Sequence, residues 1–97
     1  MPKSYDKKVV IVTGSSRGIG AATIKEFASL GYNVVINYLT SELDAKKLKS
    51  DIENNYNVDT LCIKADISKE EDVLHLLDTT VFNFGRIDCL VNNAGID

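Results

Sequence analysis

Residues 9–20 read VVIVTGSSRGIG and contain the signals that decide the fold. The first four residues form a continuous β-branched run, which is typical of a strand buried on both faces. The glycine-rich segment behind it opens into a helical pattern in which Gly20, Ile24, Phe27 and Ala28 share one face. A buried strand, a glycine turn and a helix in this order predict the first β-α unit of a parallel sheet.

The same alternation continues along the rest of the chain. Residues 34–36, 61–63 and 87–91 are further short apolar runs, and each predicts a strand. Helical spacing separates them, and two more helices are predicted from Ala45, Leu48, Ile52 and Tyr56, and then from Val73, Leu76, Leu77, Val81 and Phe84.

Start and stop signals bound these helices. Gly31 and Gly85 are placed to end the first and third helices in a left-handed conformation. Ser41 is available as a cap for the second helix, and Ser68 with Glu71 three residues later predicts a capping box for the third.

The element order β-α-β-α-β-α-β predicts an α/β fold with parallel strands joined by right-handed crossovers. The first two helices then lie on one face of the sheet and the third crosses back on the other. The predicted strand order is 3-2-1-4, a Rossmann-type doubly wound sheet of which this chain is the N-terminal portion. A ligand is expected at the carboxyl ends of strands 1 and 4, where the order reverses.

Composition excludes several classes of protein. The chain has 97 residues, the size of one domain, and a net charge of −3, which argues against a nucleic-acid partner. No apolar run is long enough for a membrane span and the N-terminus does not resemble a signal peptide, so we expect a cytoplasmic protein. Cys62, Cys89 and His75 lack metal-ligand spacing, and we expect two unpaired thiols, a surface histidine and no metal site.

The glycine-rich loop after the first strand predicts an anion site. Glycine permits unusual backbone dihedrals and close approach of a ligand to the backbone, while the helix N-terminus favours negative charge. The spacing is GxxxGxG at residues 14–20 rather than the GxGxxG dinucleotide fingerprint.

Three segments together resemble the short-chain dehydrogenase/reductase family. Residues 13–20 match its TGxxxGxG motif, residues 92–95 match its NNAG motif, and Asp66-Ile67 matches the pair that contacts adenine. The resemblance implies a nicotinamide dinucleotide cofactor. The residues that we expect at this cofactor are Gly14, Ser15, Ser16, Arg17, Gly18, Ile19, Gly20, Asn37, Tyr38, Asp66, Ile67, Asn92, Ala94 and Gly95. For Asn92, bracing of strand 4 against the turn at Thr13 is an equal alternative.

The end of the second strand favours NADP(H) over NAD(H). An acidic residue there would bind the ribose 2′-hydroxyl of NAD, but position 38 is Tyr38, between Asn37 and Leu39. Arg17 resembles the basic loop residue of NADP-preferring family members, and a guanidinium suits a phosphate. Leu39 occupies the position at which some of those members have a second basic residue.

No catalytic residue can be named in this sequence. The family uses a serine and a YxxxK pair, and none of the four tyrosines is followed by lysine four positions later. The chain ends at Asp97, so we expect the cofactor-binding part of an oxidoreductase, inactive by itself. The alternative is a non-catalytic nucleotide-binding or interaction fragment.

Residues 15–20 and 34–38 look most like those of 3-oxoacyl-acyl-carrier-protein reductases. This implies that the full-length protein acts on a small-molecule or acyl-carrier-linked carbonyl substrate. Because of an unprotected edge at the fourth strand and an incompletely covered sheet face, we expect the isolated chain either to associate through them or to be poorly soluble. We also expect the protein to be a homo-oligomer.

Overall fold

A computed structural model describes residues 6–94 and confirms the predicted architecture. All the strand pairs are parallel, and the strand order is β3-β2-β1-β4. The elements in chain order are β1 (Val9–Val12), α1 (Gly18–Ser29), β2 (Asn33–Tyr38), α2 (Glu42–Asn55), β3 (Thr60–Lys64), α3 (Glu70–Phe84) and β4 (Cys89–Val91).

Alternate residues of the strands supply two separate cores, one on each face of the sheet. On the first face, α1 and α2 cover Val10, Val12, Val34 and Ile36. On the second face, α3 covers the side chains of a smaller cluster that includes Val9 and Ile11. All four residues of β1 are fully buried, because β1 lies between β2 and β4 and has helices on both sides.

The fourth strand begins later than the apolar run at 87–91 predicts. It pairs with β1 only from Cys89, opposite Val10. Asp88 lies just before it and accepts a hydrogen bond from the backbone N–H of Val9 (Oδ2, 2.8 Å). The Arg86 guanidinium donates to both oxygens of the same carboxylate, at 2.8 and 2.6 Å. A carboxylate therefore ties the start of β4 to the start of β1.

The buried stripe of α3 differs from the predicted one. Leu76, Thr80 and Phe84 are buried, whereas Val81 is 48% exposed. The buried line follows a spacing of four residues, and Thr80 is tolerated on it because its hydroxyl donates to the Leu76 carbonyl (2.8 Å). Of the remaining predicted residues, Leu77 packs partly buried against the core of this face.

The predicted capping box at the start of α3 is wrong. The cap position is Lys69, and no side chain caps the helix. Ser68 instead donates both its backbone N–H (3.0 Å) and its hydroxyl (2.7 Å) to Oδ1 of Asp66. Ser68 therefore does not cap the helix, because its polar groups are hydrogen-bonded to the carboxylate two residues earlier.

The other helix-end signals behave as the sequence predicts, with one exception. Gly31 follows the C-cap Leu30 of α1 and Gly85 is the C-cap of α3, and their φ angles are positive at 89° and 80°. Ser41 does occupy the cap position of α2, but its side chain makes no capping hydrogen bond.

Cys62 and Cys89 are free and half-buried, and His75 is exposed on α3. Within residues 6–94 there is no helix long and apolar enough to cross a membrane. The same part of the chain contains no cluster of three or more His, Cys, Asp or Glu side chains that could hold a metal.

Two phenylalanines of α3 test which face of the helix is buried. Phe84 is fully buried and Phe82 is 85% exposed. We expect Phe84→Ala to lower the free energy of unfolding by about 3–5 kcal/mol, because it removes a buried ring and leaves a cavity. Phe82→Ala, the matched control, should change it by less than about 0.5 kcal/mol. Urea unfolding followed by circular dichroism measures both, and equal losses would contradict the assigned face.

We expect the Asp88 carboxylate to make a pH-dependent contribution to the stability of the fold. Its pKa is lowered by hydrogen bonds from Arg86 and, secondly, from the Val9 amide. A lowered pKa in the folded state means that the contribution is complete above the unfolded value of about 3.9 and is lost as pH falls below it. Asp88→Asn should therefore lower the urea midpoint near pH 7, and the difference should shrink towards about pH 3. Asp78→Asn on the exposed side of α3 is the control. A difference independent of pH would contradict this role.

Candidate functional site

A cleft of about 850 Å³ opens at the carboxyl ends of the strands, at the end of the sheet where the sequence predicts a ligand. Its walls come from the loops after β1, β2, β3 and β4. The residues that line it are Gly14, Ser16, Arg17, Gly18, Ile19, Asn37, Tyr38, Leu39, Thr40, Ser41, Ala65, Asp66, Ile67, Ser68, Asn93 and Ala94.

Thr13 joins the ends of β1 and β4 beneath this cleft. Its backbone N–H donates to the Val91 carbonyl (3.0 Å). Its hydroxyl oxygen accepts the backbone N–H groups of Asn93 (2.9 Å) and Ala94 (3.2 Å). The Asn92 side-chain oxygen lies 3.2 Å from the same hydroxyl. The bracing contact that the sequence suggested for Asn92 is therefore present, and it is one part of a larger junction centred on Thr13.

The glycine loop packs directly on the chain that follows β4. A Cβ on Gly14 would lie 3.0 Å from the Ala94 Cα, and a Cβ on Gly20 would lie 2.7 Å from Asn93 Nδ2. Asn93 Nδ2 also donates to the Gly14 carbonyl (3.0 Å). Close packing is thus the reason for glycine at position 20, while the φ of 65° is the reason at Gly18, where a Cβ would meet open space.

The first part of the loop is held by Asn37 on β2. The Asn37 side-chain oxygen accepts the Gly14 N–H (2.9 Å), and its backbone carbonyl accepts the Ser15 N–H (2.9 Å). The Ser15 hydroxyl in turn accepts the Asn37 N–H (3.1 Å). Ser15 is fully buried, so its polar groups face the protein interior. The amides of Gly14 and Ser15 are therefore already satisfied.

The second part of the loop is different, since its amides have no acceptor in the part of the chain that the structure describes. Within residues 6–94, the backbone N–H groups of residues 16–20 make no hydrogen bond, and the first helical bond of α1 is donated by Ala21 to the Arg17 carbonyl. Five adjacent N–H groups at a helix N-terminus carry partial positive charge and need an acceptor. This arrangement can bind an anion that has several oxygen atoms.

Among the described residues, polar and basic side chains and Leu39, but no carboxylate, line the cleft between the loop and the end of β2. Arg17 is exposed at the N-cap of α1 and lies on this rim with Tyr38, Thr40 and Ser41. The nearest acid in sequence, Glu42, forms an ion pair with Lys46 at 2.8 Å. The hydrogen bond from Lys46 is also the main reason that the pKa of Glu42 is lowered.

Asp66 supplies the carboxylate of the cleft, after β3. Its backbone N–H donates to Oδ2 of Asp72 (2.7 Å), which fixes the loop on the start of α3. The hydroxyl and amide of Ser68 donate to Oδ1 and lower the pKa of this carboxyl group, so it is ionised at neutral pH. Within the described residues, its other oxygen accepts no hydrogen bond and can receive one from a ligand.

The structure brings most of the predicted cofactor residues to one cleft. Ser15, Gly20 and Asn92 do not line it, and Gly95 lies outside the described residues. Sequence reasoning missed Leu39, Thr40, Ser41, Ala65, Ser68 and Asn93 as lining residues. The position of Thr40 and Ser41 directly after a predicted strand could have revealed them, since ligands bind at carboxyl ends of parallel strands.

Comparison with known proteins agrees with this architecture. The family model for short chain dehydrogenases matches residues 8–97. The chain is 44% identical to 3beta-hydroxysteroid dehydrogenase 1 of Eggerthella lenta, over 93% of this chain and 34% of that one. It is also 44% identical to ketoacyl reductase 2 of the granaticin polyketide synthase of Streptomyces violaceoruber, over 90% of this chain and 33% of that one.

A solved structure of a short-chain dehydrogenase/reductase from Burkholderia xenovorans superposes with a TM-score of 0.86 at 33% identity, covering 93% of this chain and 36% of that one. The chain therefore spans about a third of the length of the relatives that it matches. Because the family model covers nearly the whole sequence, the chain belongs to the short-chain dehydrogenase family.

Proposed function

We propose that this chain binds the adenosine and pyrophosphate part of a nicotinamide dinucleotide, with NADP(H) preferred over NAD(H). The observation that carries the proposal is the row of backbone N–H groups at residues 16–20 that have no acceptor in the described part of the chain. A pyrophosphate bears the negative charge and the several oxygen atoms that such a row can bind.

The cleft fits the rest of the adenosine as well. The pyrophosphate lies at the start of α1 in this proposal, so the ribose extends towards the end of β2 and the adenine towards the end of β3. Asp66 and Ile67 line the cleft after β3. A carboxylate oxygen of Asp66 accepts a hydrogen bond from the adenine amino group, and Ile67 offers apolar surface to the ring.

The preference for NADP(H) is supported by the charges near the end of β2. A 2′-phosphate on the adenosine ribose would meet Tyr38, Thr40 and Ser41 together with Arg17, which lines the same rim of the cleft. The hydroxyls of Thr40 and Ser41 are donors, and that of Ser41 caps no helix amide. Arg17 provides permanent charge and forked donors, which suit a phosphate dianion.

The proposed activity is that of an oxidoreductase in which the bound cofactor supplies or accepts a hydride. The residues of this chain would bind and orient the cofactor, and the substrate is a carbonyl compound of 3-oxoacyl type or the corresponding alcohol. The similarity to a ketoacyl reductase supports this class, together with residues 15–20 and 34–38. A hydroxysteroid dehydrogenase is equally similar, because the compared region is the cofactor-binding part.

We further propose that residues 1–97 form one cofactor-binding domain, which is inactive without a catalytic half. Asn37, Asn92 and Gly95 contribute to its site. The full-length protein is a cytoplasmic homo-oligomer, and its substrate is free or linked to an acyl carrier.

Calorimetric titration of the chain with NADPH and NADH tests the cofactor preference. We expect Arg17→Gln to weaken NADPH binding about 10- to 100-fold and to leave NADH binding nearly unchanged, because a hydrogen bond to a charged group contributes about 1.5–3 kcal/mol. The control is Lys25→Gln, which removes one exposed cation from α1 outside the cleft.

A loss of affinity that is equal for NADPH and NADH would mean that Arg17 does not contact the 2′-phosphate. An unaltered chain that binds neither dinucleotide, while its circular dichroism spectrum is that of a folded α/β protein, would refute the proposed site itself.

A further inference from the structure

The side chain of Asn37 is completely engaged inside the protein. It is 2% exposed, and its oxygen accepts the Gly14 N–H at 2.9 Å. Its nitrogen donates to two carbonyl groups of the β3 end, those of Ile63 (3.3 Å) and Ala65 (3.1 Å). One amide group thus links the loop after β1 to the end of β3, across the strand that lies between them.

The chemistry of these contacts requires an amide. Two acceptors lie on one side of the Asn37 side chain and one donor lies on the other, so both the N–H₂ group and the oxygen are needed. An ionised carboxylate of the same shape would place negative charge against two carbonyl oxygens. An apolar side chain would remove all three of these hydrogen bonds.

The two segments that Asn37 joins belong to different parts of the cleft. Gly14 begins the loop whose free amides lie at residues 16–20, and Ala65 precedes Asp66 on the opposite wall. Backbone bonds add to the same link, because Ser15 pairs with Asn37 and the Ala65 N–H donates to the Tyr38 carbonyl (3.0 Å).

We propose that Asn37 is a positioning residue that fixes the distance between the pyrophosphate loop and the adenine wall. It acts through Gly14 and Ala65 rather than by touching the cofactor, and the inference rests on the proposed dinucleotide site. Because both walls are held before a ligand arrives, the dinucleotide meets a preorganised cleft, and loss of the link costs affinity as well as stability.

The chain contains a matched control for this role. Asn33 lies on the same strand, is fully buried, and accepts the Asp59 N–H with its side-chain oxygen (2.9 Å). It is at the amino end of β2, which is the end of the sheet opposite to the cleft. Its Nδ2 is buried and has no partner among the described residues, so Asn33→Ala removes a buried amide with one hydrogen bond and does not touch either wall of the site.

Amide hydrogen exchange without any ligand is the first arm of the test. In Asn37→Ala, we expect the Gly14, Ser15 and Ala65 amides to exchange at least about tenfold faster, whereas in Asn33→Ala the faster exchange appears at Asp59. Unchanged exchange at Gly14 and Ala65 in Asn37→Ala would overturn the proposal, whether or not the unaltered chain binds a dinucleotide.

Binding is the second arm, with NADPH as the probe and each variant held under conditions in which it is folded. We expect Asn37→Ala to raise the Kd for NADPH by about tenfold or more and Asn33→Ala to change it by less than about threefold. Equal increases of the Kd in the two variants would show that both act only through general stability, and this also overturns the proposal. If the unaltered chain does not bind NADPH, the proposed function is refuted. The role of Asn37 is then decided by the amide hydrogen exchange experiment alone.

Asn37→Asp gives a third readout and serves if Asn37→Ala does not fold. Burial beside two carbonyl groups disfavours the charged form, so the introduced carboxyl group has a raised pKa. Its protonated form can again donate one hydrogen bond and accept another. NADPH affinity relative to the unaltered chain should therefore recover as pH falls from about 8 to about 5.5. A relative affinity that does not change with pH would contradict the positioning role.

Discussion

The parallel pairing of β1 with β2 on one side and β4 on the other is the constraint on which the rest of this structure depends. Because the order reverses there, the chain leaves β1 towards one face of the sheet and enters β4 from the other face. The loop after β1 packs on the chain that follows β4, and together with the loops after β2 and β3 these segments line a cleft at the carboxyl ends of the strands. The Asp88 carboxylate at one end of the β1–β4 pair and the Thr13 hydroxyl at the other hold this arrangement in register.

The polar groups around the cleft fall into two sets, those that have a hydrogen-bond partner inside the protein and those that have none among the described residues. The amides of Gly14 and Ser15, the side chain of Asn37 and the hydroxyl of Thr13 all find partners inside the protein. The amides of residues 16–20 find none within the described residues. Since a buried or helix-terminal N–H group without an acceptor costs free energy, the loop is stabilised by whatever anion supplies those acceptors.

Much of the fold could be predicted from the sequence because its signals are local. The β-branched runs, the helical spacing and the handedness of crossovers together determine the strand order, and Gly31 and Gly85 mark helix ends. The capping box at Ser68 failed because Asp66 competes for the same serine. The role of Asn93 escaped sequence reasoning, and only the contact with Asn92 was expected for Thr13, since their other partners lie about eighty positions away along the chain and leave no periodic signal.

In the proposed complex, the amides of residues 16–19, which line the cleft, bind the pyrophosphate of a dinucleotide. The most direct test is a titration of the ¹⁵N-labelled chain with NADPH, followed by the amide proton shifts of residues 14–20. We expect large downfield shifts at residues 16–19, with Gly14 and Ser15 nearly unchanged because their amides already donate to Asn37. Saturable shifts elsewhere in the chain that leave residues 16–19 unaffected would contradict pyrophosphate binding by these amides.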